Sequence, residues 1–257
     1  MRPPTLLLWM LSIAALGCAA STTAPVASNT PTPVIEVTPA PRVVLWHVPG
    51  ISGQQRLDDR FLANLAPAIH AAEVKFFDWP GKSHAGLNSL LNFDRARQRA
   101  TDFAAELTEF SEAHPRDHII LTCHSGGAGL TAWALEQVPQ TVRVRQWILI
   151  APALSPGYDL TRALARVDHA VAYVSKFDTV LGPGTRNFGT IDRVRTDAAG
   201  RVGFARAYPN LVEIPYDQSF MKFDHPGDHI GALFPRFATQ VIAPRITLNQ
   251  TAADSDR

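Results

Sequence analysis

The stretch His118-Ile119-Ile120-Leu121-Thr122-Cys123-His124-Ser125-Gly126-Gly127-Ala128-Gly129-Leu130 reads as an apolar strand, a tight turn with a serine at its tip, and a helix start. A nucleophilic serine needs this setting. Small residues two positions either side let strand and helix pack closely around a strained turn that pushes Oγ into the open. Here Cys123 stands where glycine is usual, and Gly127 fills the other small position.

The same loose spacing occurs twice more, in Gly81-Lys82-Ser83-His84-Ala85 and Ala153-Leu154-Ser155-Pro156-Gly157. Context separates the three. Ser83 follows Trp79-Pro80-Gly81 with no helix behind it, and Ser155 runs into Pro-Gly, a turn signal. Behind Ser125, residues 128–138 (AGLTAWALEQV) are rich in helix formers and stop before Pro139.

At 257 residues the chain is long enough for one sizeable α/β domain. With 24 basic and 23 acidic residues the formal charge is +1, and no basic stripe exceeds short mixed runs such as Arg95-Ala96-Arg97-Gln98-Arg99. Nucleic acid is excluded as an expected partner on that ground. Arg2, the apolar run 6–16 and Gly17-Cys18-Ala19-Ala20 predict a secretory signal over 1–20, too short for a stable span. Ala15-Leu16-Gly17-Cys18 also resembles a bacterial lipobox, in which Cys18 would be acylated and attach the protein to a membrane. Ordinary cleavage, for example after Ala20, is the alternative. Either route places the mature protein outside the cytoplasm. Residues 21–41, dense in Thr, Pro, Ala and Ser, read as a tether, 42–247 as the domain and 248–257 as a polar tail. Cys18 and Cys123 are the two cysteines, so loss or lipidation of Cys18 leaves no internal disulfide.

From Arg42 onward strand and helix signals alternate, the pattern of a parallel sheet covered on both faces. Strands are expected at 43–48, 74–78, 118–123, 144–151, 170–175 and 211–215, several as continuous apolar runs. Helices are expected near 56–72, 93–114, 126–138, 159–167 and 228–242. Ala100, Phe103, Ala104, Leu107 and Phe110 recur at spacings of three and four and mark a buried stripe.

This order of elements, with the serine turn after the third strand, resembles the α/β-hydrolase superfamily over nearly all of the chain beyond the tether. The resemblance implies a mostly parallel sheet of about six strands flanked by helices. The first strands of the full fold are reduced here, since only 34–37 looks strand-like before residue 43. The smaller lipases and cutinases are similarly trimmed. It also implies the chain order nucleophile, acid, histidine, with the last two on loops after later strands. Asp178, after the fifth expected strand, fits the acid; Asp159, after the fourth, is the competitor, and Asp192 ranks behind both. His229, in Asp224-His225-Pro226-Gly227-Asp228-His229-Ile230-Gly231, fits the base, with His225 as its rival and an exposed loop as that rival's ordinary fate. For the oxyanion, the N–H of Gly126 follows the nucleophile directly, at the positive end of a helix. A second donor should come from His47-Val48-Pro49-Gly50-Ile51-Ser52-Gly53, where Pro49 has none to give. Ile51 is the choice, with Gly50 as the permissive residue that turns the amide inward. His124 is expected to pack behind the turn.

The implied activity is that of a serine hydrolase taking a small-molecule carboxylic ester or thioester of small to medium acyl chain, without cofactor or metal. Neither HxxxH pair among the nine histidines, His114/His118 or His225/His229, is read as a metal site, and no CxxC, phosphate loop or dinucleotide fingerprint is present. Room for only a short helix between residues 152 and 168 implies a short cap. The long segment 181–210 reads as functional or mobile. Leu154, Tyr158, Val180, Leu181 and Phe188 are candidates for an acyl pocket as much as for packing. A non-catalytic binding or scaffold protein of the cell envelope is the competing reading, and Cys123 is its argument, because a side chain crowding the turn would misaim Oγ.

Overall fold

The computed structural model describes residues 41–246 apart from 82 and 84. The signal segment with Cys18, nearly all of the tether, the strand-like 34–37 and the polar tail lie outside the described residues.

Six strands form one all-parallel sheet in the order β2-β1-β3-β4-β5-β6: β1 Val43–Val48, β2 Glu73–Phe76, β3 His118–His124, β4 Val144–Ile150, β5 Val167–Val174 and β6 Leu211–Pro215. Parallel neighbours cannot be joined by hairpins, so the chain crosses the sheet between them. The crossings use α1 (Arg56–Ala68), the short α2 (Leu87–Leu91) with α3 (Phe93–Ala113), α4 (Gly127–Leu135) and α5 (Thr161–Leu164). Side chains alternate across each strand, and the two faces bury separate cores. Val44, Trp46, Ile119, Leu121, Cys123, Trp147 and Leu149 pack with α3, α4 and α5. Leu45, Ile120, Ile148, Ile150 and Tyr173 pack with α1 and the C-terminal turns. The stripe expected on α3 is buried as read, from Ala100 to Phe110. α4 is buried on every side, which explains its apolar composition.

Two expected helices are shortened for identifiable reasons. α1 ends at Ala68 rather than 72, one residue after Pro67, as His70 turns to the left-handed φ of 52° and the N–H of Ala71 caps Ala66 C=O at 2.9 Å. The helix expected over 228–242 breaks into a tight turn Gly231–Leu233, a helical turn Pro235–Phe237 and a wider turn Ala238–Ile242. Phe234, extended at ψ 143° as the residue before proline must be, interrupts it. Segment 181–210 is neither structureless nor a lid. Ile191 N–H reaches Ala153 C=O at 3.0 Å, Ala199 N–H reaches Leu154 C=O at 2.7 Å, and Asp192 takes both N–H and Oγ–H of Ser155. These bonds fold it back onto the end of β4.

The chain leaves β1 toward β2 on one side and returns to β3 on the other. That reversal opens a crevice beyond the C-terminal ends of β1 and β3, where open α/β sheets bind ligands. Val48 and Cys123 are in register, so the loops that follow emerge side by side.

Candidate active site

Ser125 sits at the end of β3 with φ 52°, a left-handed value that costs a residue with a Cβ about 1–3 kcal/mol. The surroundings enforce it. Ser125 N–H binds Ile150 C=O at 2.9 Å, and its own C=O accepts from Ala128 and Ala153, each at 3.1 Å. Gly127 shows why the position two after the serine must be small: a Cβ there would lie 2.5 Å from Val48 O and 2.6 Å from Pro49 O. Cys123, two before it, does not crowd the turn. Its side chain is buried in the α3/α4 core with Sγ 3.6 Å from Ile148 O, and burial pushes the thiol up to about 12. It stays a neutral packing group.

The structure brings Ser125, His229 and Asp178 together. His229 Nε2 lies 3.0 Å from Ser125 Oγ, and Nδ1 lies 2.6 Å from Asp178 Oδ2. Asp178 is buried; its other oxygen accepts N–H bonds from Val180 and Leu181, each at 2.9 Å, and Arg201 donates to its backbone C=O. Ser175 Oγ–H donates to Gly227 C=O at 2.5 Å and ties the Asp178 loop to the His229 loop. Asp159 is elsewhere, exposed and bound to Thr161 and Arg206. Asp192 is the clamp on Ser155 described above.

The other histidines have other work. His225 is buried rather than exposed: its ring packs against Tyr216, Phe220 and Phe237, and Nδ1 accepts the N–H of Gly227 at 3.3 Å. Burial holds it down at about 4. His124 donates through Nε2 to His229 C=O at 3.0 Å, so the residue before the serine fixes the loop of its partner. Burial, then the neighbouring His229, holds it down at about 3. Both rings are neutral in the fold, and the unfolded chain binds their protons first as pH falls. Their contribution to stability is therefore complete above the unfolded value near 6.5, and shrinks from there toward pH 4 by about 1.4 kcal/mol per pH unit for each linked proton. His225→Asn, whose Oδ1 can accept the Gly227 N–H, should flatten the acid limb of a plot of thermal midpoint against pH. An unchanged limb would remove His225 from this role.

Across the crevice, Ile51 N lies 3.7 Å from where a Cβ on Gly126 would stand. Among the described residues neither the Ile51 N–H nor the Gly126 N–H has a hydrogen-bond partner. The left-handed residue of this turn is Gly53, at φ 68°, and not Gly50 as expected. Beneath the turn, His47 is buried between Thr122 Oγ1 at 2.8 Å and Asp58 Oδ1 at 3.1 Å, and Asp58 Oδ2 accepts the N–H of Gln55. Burial raises the Asp58 carboxyl, and the His47 hydrogen bond and charge, with Gln55, more than offset it, leaving it below the ordinary value.

A cleft of about 300 Å³ opens on Ser125 and His229, walled by Ile51, Leu57, Val180, Ile230 and Leu233, with Asp58 at its edge. Of the five residues proposed for an acyl pocket only Val180 lines it. Leu154 and Leu181 are buried in the two cores, Tyr158 packs against the first, and Phe188 is 56% exposed outside the cleft. Leu57 and Leu233 escaped the sequence reading because helix α1 and the C-terminal turns reach the cleft only through tertiary packing. A larger cleft, about 500 Å³, lies at the opposite ends of the strands, where Arg143 and Arg145 pair with Asp168. It is remote from the serine. Among the described residues no group of three His, Cys, Asp or Glu is placed to hold a metal ion.

Comparison with known proteins adds a family. Residues 41–196 match the family model described as serine aminopeptidase, S33, a span that takes in Ser125 and Asp178 and ends before His229. No curated protein matches the sequence. Among solved structures, lipase B of Aspergillus fumigatus is similar over 79% of this chain and 51% of its own, at 18% identity and TM-score 0.49. This chain thus spans about half the length of that lipase. A CIB-like hydrolase from Thermoplasma acidophilum is similar over 81% and 87%, at 14% identity and TM-score 0.46. A dienelactone hydrolase from Anabaena variabilis is similar over 80% and 85%, at 13% identity and TM-score 0.42.

Proposed function

The chain belongs to the serine aminopeptidase S33 family of α/β-hydrolases, and from that premise we propose that it is a serine esterase that hydrolyses small uncharged carboxylic esters through an acyl-enzyme on Ser125. The observation that carries this reading is the unbroken hydrogen-bonded line Asp178 Oδ2, His229, Ser125 Oγ. In it Asp178 holds the proton on Nδ1, so that Nε2 presents its lone pair to the serine hydroxyl. Ser125 Oγ attacks the ester carbon as His229 takes its proton. The N–H groups of Gly126 and Ile51 receive the oxyanion, helped by the positive end of α4. Collapse expels the alcohol, protonated by His229, and water repeats the sequence to release the acid. We further propose that the protein acts outside the cytoplasm, either free after signal cleavage or held by an acylated Cys18.

The acyl group is assigned to the cleft walled by Ile51, Leu57, Val180, Ile230 and Leu233. A cleft of about 300 Å³ is at the small end of ligand sites. Each buried methylene contributes about 0.8 kcal/mol, so kcat/KM should rise about fourfold per methylene from acetate upward and level off near six carbons. A p-nitrophenyl ester series from acetate to laurate, run beside aminoacyl p-nitroanilides, checks both halves of the claim. A steady rise to laurate would overturn the size assignment. Faster cleavage of the anilides would make the protein a peptidase.

A further inference from the structure

The loop after β1 carries the oxyanion donor that the serine turn does not itself fix. Ile51 N–H belongs to the Gly50–Ile51 peptide, and in a planar trans peptide it points opposite to Gly50 C=O. Gly50 C=O is bound by the N–H of Gly53 at 3.1 Å, which closes a four-residue turn and leaves Ile51 N–H on the other side. Gly53 itself leaves the turn at φ 68°, a value glycine reaches without strain. One peptide earlier, Pro49 C=O is bound by the indole N–H of Trp79 at 2.9 Å, a buried bond spanning 30 residues. Trp79 is itself clamped from behind, since the Arg95 guanidinium donates to Trp79 C=O at 3.3 Å and to Pro80 C=O at 3.1 Å. Its ring also backs the serine turn, with Cζ2 3.5 Å from where a Cβ on Gly126 would stand.

Burying a tryptophan does not by itself explain this bond. Trp46 is buried too, and among the described residues its indole nitrogen has no hydrogen-bond partner. The bond at Trp79 is specific to the loop that it grips.

We propose that Trp79 is a positioning residue for acyl transfer: through Pro49 C=O, with Gly53 on the next carbonyl, it presets the loop so that Ile51 N–H is aimed at the oxyanion before substrate arrives. The inference rests on the acyl-transfer reading of Ser125. Preorganised donors act in the transition state, so their loss lowers kcat and leaves KM. Trp79→Phe keeps a ring in the space and removes the N–H. Its kcat, counted per serine titrated with a fluorophosphonate, should fall about 10- to 50-fold, less than the roughly 10²- to 10³-fold of deleting a donor. KM should stay within about twofold, and phosphonylation should slow in step, because the phosphonyl oxygen occupies the same site. A merely structural role would reduce the number of titratable serines and leave kcat per serine unchanged, and that result overturns the proposal. Gly53→Ala strikes the same loop from its other end, where the new Cβ would be strained and 2.8 Å from Asp78 Oδ1. It should show the same loss, and it decides the matter if Trp79→Phe does not fold; unchanged kcat per serine there refutes the preset loop. Wild-type protein that is never labelled at Ser125 would remove the acyl-transfer reading, and this proposal with it.

Discussion

Ser125→Ala is expected to lose about six orders of magnitude in kcat while melting close to the wild type, because a nucleophile removed from a cooperating triad costs as much as the whole triad. What survives should be the roughly 10³- to 10⁴-fold advantage over water that the oxyanion donors and substrate binding supply alone. A fluorophosphonate should label Ser125 in the wild type and nothing in the variant. Continued labelling, or turnover within about a hundredfold of wild type, would take Ser125 out of the nucleophile's place. The turn adds a second readout independent of substrate. Alanine keeps the Cβ that is strained at φ 52°, whereas glycine does not. Ser125→Gly should therefore be as inactive as Ser125→Ala yet more stable than it, by about 1 kcal/mol. Equal stability would mean that the turn stores no strain at the serine.

The parts of this molecule that could be read from sequence are those whose cause is local. The strands are short apolar runs between turn signals, and all six expected strands form within a few residues of their expected bounds. The serine turn was legible because its strand, its small neighbours and its helix are contiguous. Asp178 could be singled out by its place after β5, and His229 by its place in the chain after Asp178. The features that escaped are set by contacts between distant segments. Trp79 reaches Pro49 across 30 residues, and nothing in Phe77-Asp78-Trp79-Pro80-Gly81 announces the partner. In sequence His225 reads as an exposed rival, but its burial depends on Tyr216, Phe220 and Phe237 closing around it. Leu154 and Leu181 miss the serine cleft for the same reason: which way they face is decided by how the segment 181–210 folds back on β4. The concern over Cys123 had a local answer. It shares a face of β3 with Ile119 and Leu121, so parity alone sends its thiol into the core and away from the turn.

Parity of a different kind, in the two oxygens of Asp178, sets the expected behaviour of Asp178→Asn. One oxygen already accepts two backbone N–H groups, from Val180 and Leu181, and only an acceptor can take that place. An asparagine must therefore put its carbonyl oxygen there and its amide NH₂ toward His229 Nδ1. That NH₂ donates, so Nδ1 must become the acceptor and the ring must carry its proton on Nε2, facing Ser125. The imidazole is then unable to take the serine's proton, with the geometry otherwise intact. A loss of about 10⁴ in kcat is expected, the size seen when the equivalent tautomer is forced in a serine protease triad. Thermal stability should change far less than activity. Asp159→Asn, at an exposed position bound to Thr161 and Arg206, should leave kcat within about twofold, as surface substitutions away from a site usually do. The comparison is made at one pH with the same ester and with phosphonate titration of both variants. A greater loss at Asp159 than at Asp178 would move the acid to the loop after β4 and leave the 2.6 Å contact with His229 without a catalytic role.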